Sequence, residues 1–469
     1  MLLLLGALPC QAQRPSFQPV IAHVWDEAAL RELDLPLATP GATPKYPPAT
    51  YYYSVPEMVI YKSYPGRAPA GMTDDQYLAW LQTREPENAF DPAQLRTRED
   101  WIRAGERVFY APTSYISEGV RNGRNQWRPW FIRKKGLLEK GLSACASCHV
   151  QLKEDGTVIP GAPFGAGMPG EQAASPRNLE GDPLRDLHQR LRREFGTPWL
   201  DPDPNSRFEL WPLIRLRSGM VSRQGTSFLS PQPIPDLIGI EARRYLDRTG
   251  LEQHRSPVDF MRYAALNTNG AAFQILGNYA GFVPGGIDFK TLPDPKTLVR
   301  YSDAQLYALT LFVYSLKPPA NPNPRNPLAE QGEEVFRREG CANCHTPPLY
   351  TNNKLTPAVG FRVPEEHKAR YDILPVVVGT DPFLAMSTRR GTGYYKVPSL
   401  KGLWYRGPFT HDGSVATLED WLDPARLRPD YVPTGLKGPE PTRAVKGHEF
   451  GLRLTPVEKK ALIAFLMTL

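Results

Sequence analysis

Two short stretches determine what this chain can fold around, and they are Cys145-Ala-Ser-Cys148-His149 and Cys341-Ala-Asn-Cys344-His345. Both follow the pattern CxxCH, and they contain every cysteine of the chain except Cys10. The pattern offers two thiols to the vinyl groups of a haem and one histidine to its iron. A zinc site would need its own ligand set, and a redox CxxC normally lacks the trailing histidine. The sequence therefore predicts a di-haem cytochrome c, with the four cysteines binding haem c covalently and His149 and His345 as proximal iron ligands.

The two motifs lie within an internal repeat. Gly105-Glu-Arg-Val-Phe109 precedes the first motif, and Gly332-Glu-Glu-Val-Phe336 precedes the second, each as the predicted end of a helix that leads to a haem. Residues 307–316 also align without a gap against residues 460–469, and both segments carry apolar residues at helical spacing. We expect these two segments to be the terminal helices of two cytochrome c domains, packed across the helices before the motifs.

Proline marks the boundaries between domains. Residues 317–327 read Lys-Pro-Pro-Ala-Asn-Pro-Asn-Pro-Arg-Asn-Pro and predict a stiff linker without a helix. This linker separates a first haem domain, residues 101–318, from a second, residues 328–469. Residues 13–100 form a Pro-rich N-terminal extension. The predicted fold class is mainly α, with two cytochrome c-type haem domains and long loops.

The composition and the N-terminus indicate an exported protein. Hydrophobic residues make up 41% of the chain and the formal net charge is +7, which the propionates of two haems would bring closer to neutral, so no nucleic-acid partner is inferred. Residues 1–12 form an apolar run that ends in small residues, which is typical of a signal peptide cleaved after Ala12. The alternative of a lipoprotein fits poorly, because Pro9 precedes Cys10. No later segment is apolar enough for a membrane span, and we expect a periplasmic or secreted protein.

A longer block follows the second motif. It begins Lys396-Val-Pro-Ser-Leu400 and ends His411-Asp-Gly-Ser-Val-Ala-Thr-Leu-Glu419. This block resembles the C-terminal domain of the bacterial di-haem cytochrome c peroxidase/MauG superfamily, and the resemblance extends over both haem domains. It implies a haem-dependent oxidoreductase that takes electrons at the second haem and activates a small oxidant at the first. Relatives also hold a calcium ion between the haems, although no ligand set for Ca²⁺ stands out in this sequence.

The resemblance raises the question of what faces the iron of the second haem. Peroxidases of the superfamily use a methionine after the His-Asp-Gly block, but this chain has none between His411 and Met467. His448 lies among glycines just before the terminal helix, and we predict that it is the distal ligand. Tyr431 and Met386 are weaker candidates, and the resemblance implies a supporting role for His411. Bis-histidine ligation would leave this haem no open position.

The first haem is predicted to be the reactive one, because residues 150–174 contain no histidine to serve as its distal ligand. Peroxide cleavage benefits from an acid or base on the distal side of the haem. The missing histidine therefore favours another kind of residue on the distal side of the first haem. The segment around Phe273, residues 267–279, resembles the apolar distal segment of the rubber oxygenases, the branch of the superfamily that this chain resembles most. Phe273 is therefore the candidate distal residue, with a core phenylalanine as the alternative.

Three functions remain open at this point. The first is a peroxidase that receives electrons from a small donor protein and reduces H₂O₂. The second is a dioxygenase that binds O₂ on an apolar haem and cleaves an alkene. The third is a di-haem electron carrier without catalytic activity.

Overall fold

The computed structural model describes residues 17–25, 49–117, 128–165, 179–194, 210–223, 225–267, 294–388 and 390–469. Within these residues the α-helices, numbered α1 to α12 in chain order, are Ala49–Ser54, Asp74–Gln82, Arg98–Tyr110, Gly181–Glu194, Trp211–Ile214, Pro257–Asn267, Asp303–Ser315, Pro327–Arg338, Glu365–Arg370, Phe383–Ser387, Leu418–Trp421 and Pro456–Met467. The strands β1 to β12 are Ser63–Tyr64, Ser114–Ser117, Trp130–Lys134, Leu137–Ser143, Val150–Leu152, Val158–Pro160, Met220–Val221, Gln232–Pro233, Tyr245–Leu246, Glu252–Gln253, Leu355–Pro357 and Tyr394–Lys396.

Two helix crossings confirm the internal repeat. Helix α3 crosses α7, and α8 crosses α12, each with a glycine at the contact point. A Cβ atom added to Gly105 would lie 1.9 Å from the carbonyl oxygen of Ala308, and one added to Gly332 would lie 1.9 Å from that of Ala461. Ala308 and Ala461 are equivalent in the gap-free alignment of the two terminal helices. The same helix pair is therefore built twice, and only glycine lets the helices approach this closely.

The terminal helices begin where the sequence predicts. Ser302 caps α7 and Thr455 caps α12, each accepting a hydrogen bond from a backbone N–H three residues later. Gln305 and Glu458 complete the two capping boxes by bonding back to the N–H of the cap residue. Between the two repeats, residues 317–326 contain no helix, and α8 begins at Pro327.

A small sheet makes the fold mixed, so the prediction of a mainly α-helical chain is only partly right. Strands β1, β3, β4 and β2 form one antiparallel sheet in that order, just before the first motif. Its centre is the Trp-Phe-Ile run at the start of β3, whose three side chains are all buried. Aromatic and β-branched residues favour strands, and no helical apolar spacing competes with them here.

The N-terminal extension shares a core with the first helix pair. Val24, Trp25 and Tyr52 are buried in the same cluster as Val108 of α3 and Leu309 of α7. Backbone hydrogen bonds join residues 56 and 58 to Arg300 at 2.9 and 2.6 Å. In the part of the chain described by the structure, no helix is long and apolar enough to cross a membrane. The extension thus stabilises the side of the fold that carries the first CxxCH motif.

Candidate haem-binding site

Each CxxCH motif forms one short turn, the first after strand β4 and the second after helix α8. The turns are 3₁₀ helices at Cys145–Ser147 and Cys341–Asn343. The backbone N–H of His149 donates to the carbonyl of Cys145 at 3.0 Å, and His345 donates to Cys341 at 2.9 Å. Each turn therefore keeps two thiols and one imidazole within a single loop, as attachment of a haem c requires.

The thiols do not have the properties of a redox pair. All four cysteines are free. Burial raises the pKa of Cys145 to about 12 and that of Cys341 to about 11, whereas reactive CxxC thiols have lowered pKa values. Among the described residues, no group of three or more His, Cys, Asp or Glu side chains is arranged to hold a metal ion. The raised thiol pKa values disfavour the redox alternative, and the calcium site stays a prediction.

Backbone carbonyls of proline contact both of the predicted proximal histidines. Nδ1 of His149 lies 3.0 Å from the carbonyl oxygen of Pro235, and Nδ1 of His345 lies 3.1 Å from that of Pro398. A carbonyl can only accept, so Nδ1 carries the proton and Nε2 is left as the ligating atom. Burial lowers the pKa of His149, to about 4, and also lowers that of His345. Both rings are therefore neutral at physiological pH, which ligation to iron requires.

One cavity of about 340 Å³ connects the second motif with the region between the two repeats. Its walls include Cys341, Cys344 and His345 on one side and His448 on the other. Helices α8 and α12 contribute apolar residues to the wall, and these are Phe336, Leu462 and Leu466. Pro235 and Pro398, the residues that orient the two proximal histidines, both line this same cavity.

His448 faces His345 across the cavity. The centroids of the two imidazole rings are 6.3 Å apart. A metal ion bound about 2 Å from one nitrogen of each ring would give a separation of roughly 6 Å, so the pair fits a six-coordinate iron. Nδ1 of His448 is buried without a hydrogen-bond partner among the described residues. Burial, followed by the proximity of His345, lowers the pKa of His448 to about 3, so this ring is also neutral.

The backbone around His448 holds the ring in place. His448 has a φ of 47°, a left-handed conformation that side chains rarely adopt and that is often retained at functional sites. Its N–H donates to the carbonyl of Val378 at 2.8 Å, and its ring contacts Trp421 edge-on at 4.9 Å. A Cβ on the preceding Gly447 would lie 2.2 Å from the backbone nitrogen of Thr380. The close approach of these two segments explains the glycine and fixes the histidine.

The other ligand candidates lie elsewhere. Neither Tyr431 nor Met386 lines the cavity, and Met386 packs against a separate apolar cluster. His411 does line the cavity. Its ring centroid lies 4.8 Å from that of Tyr395, with the ring planes tilted by 39°, and its Nδ1 is buried without a hydrogen-bond partner in the described part of the chain. Phe273, the predicted distal residue of the first haem, lies outside the described residues, as does the predicted signal peptide. Both stay predictions.

Sequence reasoning missed a second repeated segment. Pro235-Asp-Leu-Ile-Gly239 matches Pro398-Ser-Leu-Lys-Gly402, and the two glycines have φ values of 71° and 77°. Each glycine begins a 3₁₀ turn that ends just before an arginine of the cavity wall, Arg243 or Arg406. The signal was present in the Pro-x-Leu-x-Gly pattern. It shows that each repeat supplies both the carbonyl for its proximal histidine and a cation for the shared cavity.

Known proteins share parts of these features. The methylamine utilization protein MauG of Methylorubrum extorquens is 31% identical over 142 residues, which cover 30% of this chain and 34% of that protein. The uncharacterized protein y4iJ of Sinorhizobium fredii is 36% identical over 16% of this chain and 18% of its own length. The chain thus matches about a third or less of the length of these curated relatives. No protein-family profile matches it.

Over these 142 residues the similarity to MauG agrees with the resemblance to the di-haem cytochrome c peroxidase/MauG superfamily that the motifs predict. The chain also resembles several solved structures, including the following two. One is a MauG-like protein associated with microbial copper homeostasis, at 17% identity and a TM-score of 0.32, covering 62% of this chain and 89% of that one. The other is hydrazine synthase of Kuenenia stuttgartiensis, at 15% identity and a TM-score of 0.30, covering 68% and 100%. These scores are too low to support an argument about function.

Proposed function

We propose that this chain is an exported di-haem c oxidoreductase that activates a small oxidant at the first haem while the second haem relays electrons. The observation that carries this proposal is the opposition of His345 and His448, with ring centroids 6.3 Å apart. Two histidines on one iron leave no open position, so the second haem would transfer electrons and only the first would bind a substrate. When bound, haem c supplies the redox-active iron at each site.

Each CxxCH motif of this chain would hold one of the two haems. Cys145 and Cys148 would bind the first haem covalently, and Cys341 and Cys344 the second. The carbonyls of Pro235 and Pro398 hold the protons of the two proximal imidazoles at Nδ1. A partner that accepts from Nδ1–H makes the imidazole a stronger donor to iron. Both prolines line one cavity, so electrons that pass between the two haems would cross the region of this cavity.

Hydrogen peroxide is the first candidate oxidant. Its reduction to two water molecules consumes two electrons and two protons, and the electrons would come from a small donor protein at the second haem. The alternative is a rubber oxygenase-like dioxygenase that takes O₂ and cleaves an alkene, which the sequence around Phe273 favours. The absence of a histidine in residues 150–174 also favours the alternative, because an apolar distal wall offers no proton to a bound peroxide.

Carbon monoxide titration of the reduced protein with both haems attached tests whether only the first haem binds a ligand. We expect one CO bound per two haems, and a ferric spectrum with one high-spin and one low-spin haem. Binding of two CO molecules, or of none, would contradict a reactive first haem and a closed second haem. Binding of none would support the third possibility, a pure electron carrier. Turnover of H₂O₂ with a cytochrome donor, compared with O₂ uptake on an alkene, then separates the two enzymatic functions.

A further inference from the structure

The cavity between the two repeats carries an excess of positive charge. Five cationic residues line it, Arg223, Arg243, Arg248, Lys396 and Arg406, against two carboxylates, Asp236 and Asp247. Both carboxylates already have partners. Asp236 pairs with Arg243 at 3.3 Å, and Asp247 pairs with the fully buried Arg390. Little negative charge is therefore left for the remaining cations of the wall.

Among the described residues, the hydrogen-bond partners of three of these cationic side chains are neutral carbonyl groups. Arg248 donates to the carbonyl of Pro233 at 3.0 Å, and Lys396 donates to that of Tyr245 at 3.2 Å. Arg406 donates to the carbonyls of Ser399 and Lys401 at 2.8 Å. None of the three forms an ion pair with a described residue. All three residues are half-buried, and like charges held together in a partly desolvated wall are costly unless an anion compensates them.

The cations also repel one another. Burial, together with Arg243, Arg248 and Arg406, lowers the pKa of Lys396 well below its usual value. Burial, followed by Arg406 and Arg223, lowers the pKa of Arg248 to about 10. On the anionic side, Asp412 acts on Arg248 in the opposite direction, but it is itself bound by Arg443 at 3.1 Å. The wall as built is suited to a bound anion with more than one negative group.

The internal repeat indicates which anion this is. Arg243 and Arg406 occupy equivalent positions, each following the segment whose proline orients a proximal histidine. We propose that Arg243, Arg248, Lys396 and Arg406 form one cation cluster that binds the propionates of both haems at the boundary between the repeats. This inference rests on the proposed function, because it needs two haems. It implies that each haem is held partly by residues of the other repeat.

Substitution of Lys396 by methionine in the full chain tests this cluster. The variant would be matured in cells that attach haem c, and the reduction potential of each haem measured by spectroelectrochemistry. A positive charge near a haem favours the ferrous state, so its loss should lower the potentials of both haems. We expect at least a tenfold shift towards the ferric form at fixed applied potential for the second haem, equivalent to 59 mV for one electron, and a shift in the same direction for the first.

Two variants serve as matched controls. Lys354→Met makes the same change of charge on the neighbouring strand segment, where the side chain is exposed and outside the cavity wall, and should leave both potentials unchanged. Lys396→Arg keeps the charge and should also preserve them. If Lys396→Met fails to accumulate, Arg248→Gln removes a charge from the same cluster and is expected to lower both potentials. A free inorganic anion is the competing occupant, and titration of the wild-type protein with inorganic phosphate in chloride buffer detects it.

The outcomes separate this inference from the proposed function. A mass corresponding to two haems with unchanged potentials in both Lys396→Met and Arg248→Gln would overturn the propionate site and leave the function standing. A shift confined to one haem would overturn the shared site. Potentials that follow the phosphate concentration would identify a free anion and overturn it as well. A wild-type protein that carries fewer than two haems would refute the proposed function itself.

Discussion

Substitution of His448 by glycine probes the pairing of histidines most directly. His448 has a φ of 47°, which costs roughly 1 kcal/mol for a residue with a side chain and almost nothing for glycine. The change therefore removes the imidazole without adding backbone strain. If the 6.3 Å separation of the His345 and His448 rings reflects one iron between them, the substitution opens one position on one of the two haems. We expect that haem to change from low spin to high spin, and the CO stoichiometry to rise from one to two per chain.

The assay combines ferric absorption spectra with CO titration, before and after addition of imidazole. Imidazole should enter the space left by the side chain and restore the low-spin spectrum. His367→Ala is the control, since Nδ1 of His367 lies 2.9 Å from the hydroxyl of Tyr394 and the ring does not line the cavity. An unaltered spectrum and a single CO in His448→Gly would refute the assignment.

Three further predictions concern packing, pH and the reactive haem. Gly332→Ala should lower the stability of the second repeat by about 1–3 kcal/mol, because the added Cβ would lie 1.9 Å from the Ala461 carbonyl oxygen. Circular dichroism should show a lower melting temperature. Gly105→Ala should have the same effect on the first repeat. Burial lowers the pKa of Lys140 from 10.5 to about 8. Between these pH values the folded chain then binds fewer protons than the unfolded chain, so the free energy of unfolding should rise from about pH 8 to about pH 10. Urea unfolding measures this rise, which should be absent in Lys140→Met. Phe273→His should increase peroxide turnover in a steady-state assay if Phe273 forms the distal wall, because it adds a proton donor.

Helix pairs could be predicted from the sequence because their signals are local. Apolar residues at helical spacing, with Ser302 and Thr455 as caps, mark the start and the buried face of the two terminal helices. The glycine at each crossing could be found only by comparing the two copies. The four-stranded sheet was missed because its buried run, Trp130 to Ile132, lies in a stretch rich in basic residues. Pairing of β3 with β1, which is far away in the sequence, gives that run its buried face.

The candidate site could be predicted only as far as its motifs. CxxCH predicts the haem-binding thiols and the proximal histidines, and the absence of a methionine favours His448 as the distal ligand. The contacts that orient the histidines are long-range, since Pro235 follows His149 by 86 positions and Pro398 follows His345 by 53. The cations of the cavity come from several segments of both repeats. No local sequence pattern predicts that these cations lie together, because long charged side chains are normally expected at the solvent-exposed surface.

Charge differs between the two copies where their backbones agree. After the proline that orients the proximal histidine, the first copy has Asp236 and the second has Ser399. Asp236 forms an ion pair with Arg243 and accepts a hydrogen bond from the hydroxyl of Tyr405 at 3.2 Å. The carboxylate of Asp236 therefore offsets the positive charge of Arg243 in the first copy. In the described part of the chain, the side chain of the equivalent Arg406 donates its hydrogen bonds to carbonyl oxygens and forms no ion pair. The second haem would therefore experience more positive charge than the first, which raises its reduction potential and opposes the lowering caused by a second histidine ligand. Two copies of one backbone would in this way give two haems different reduction potentials through a single difference in side chain, Asp236 in the first copy and Ser399 in the second.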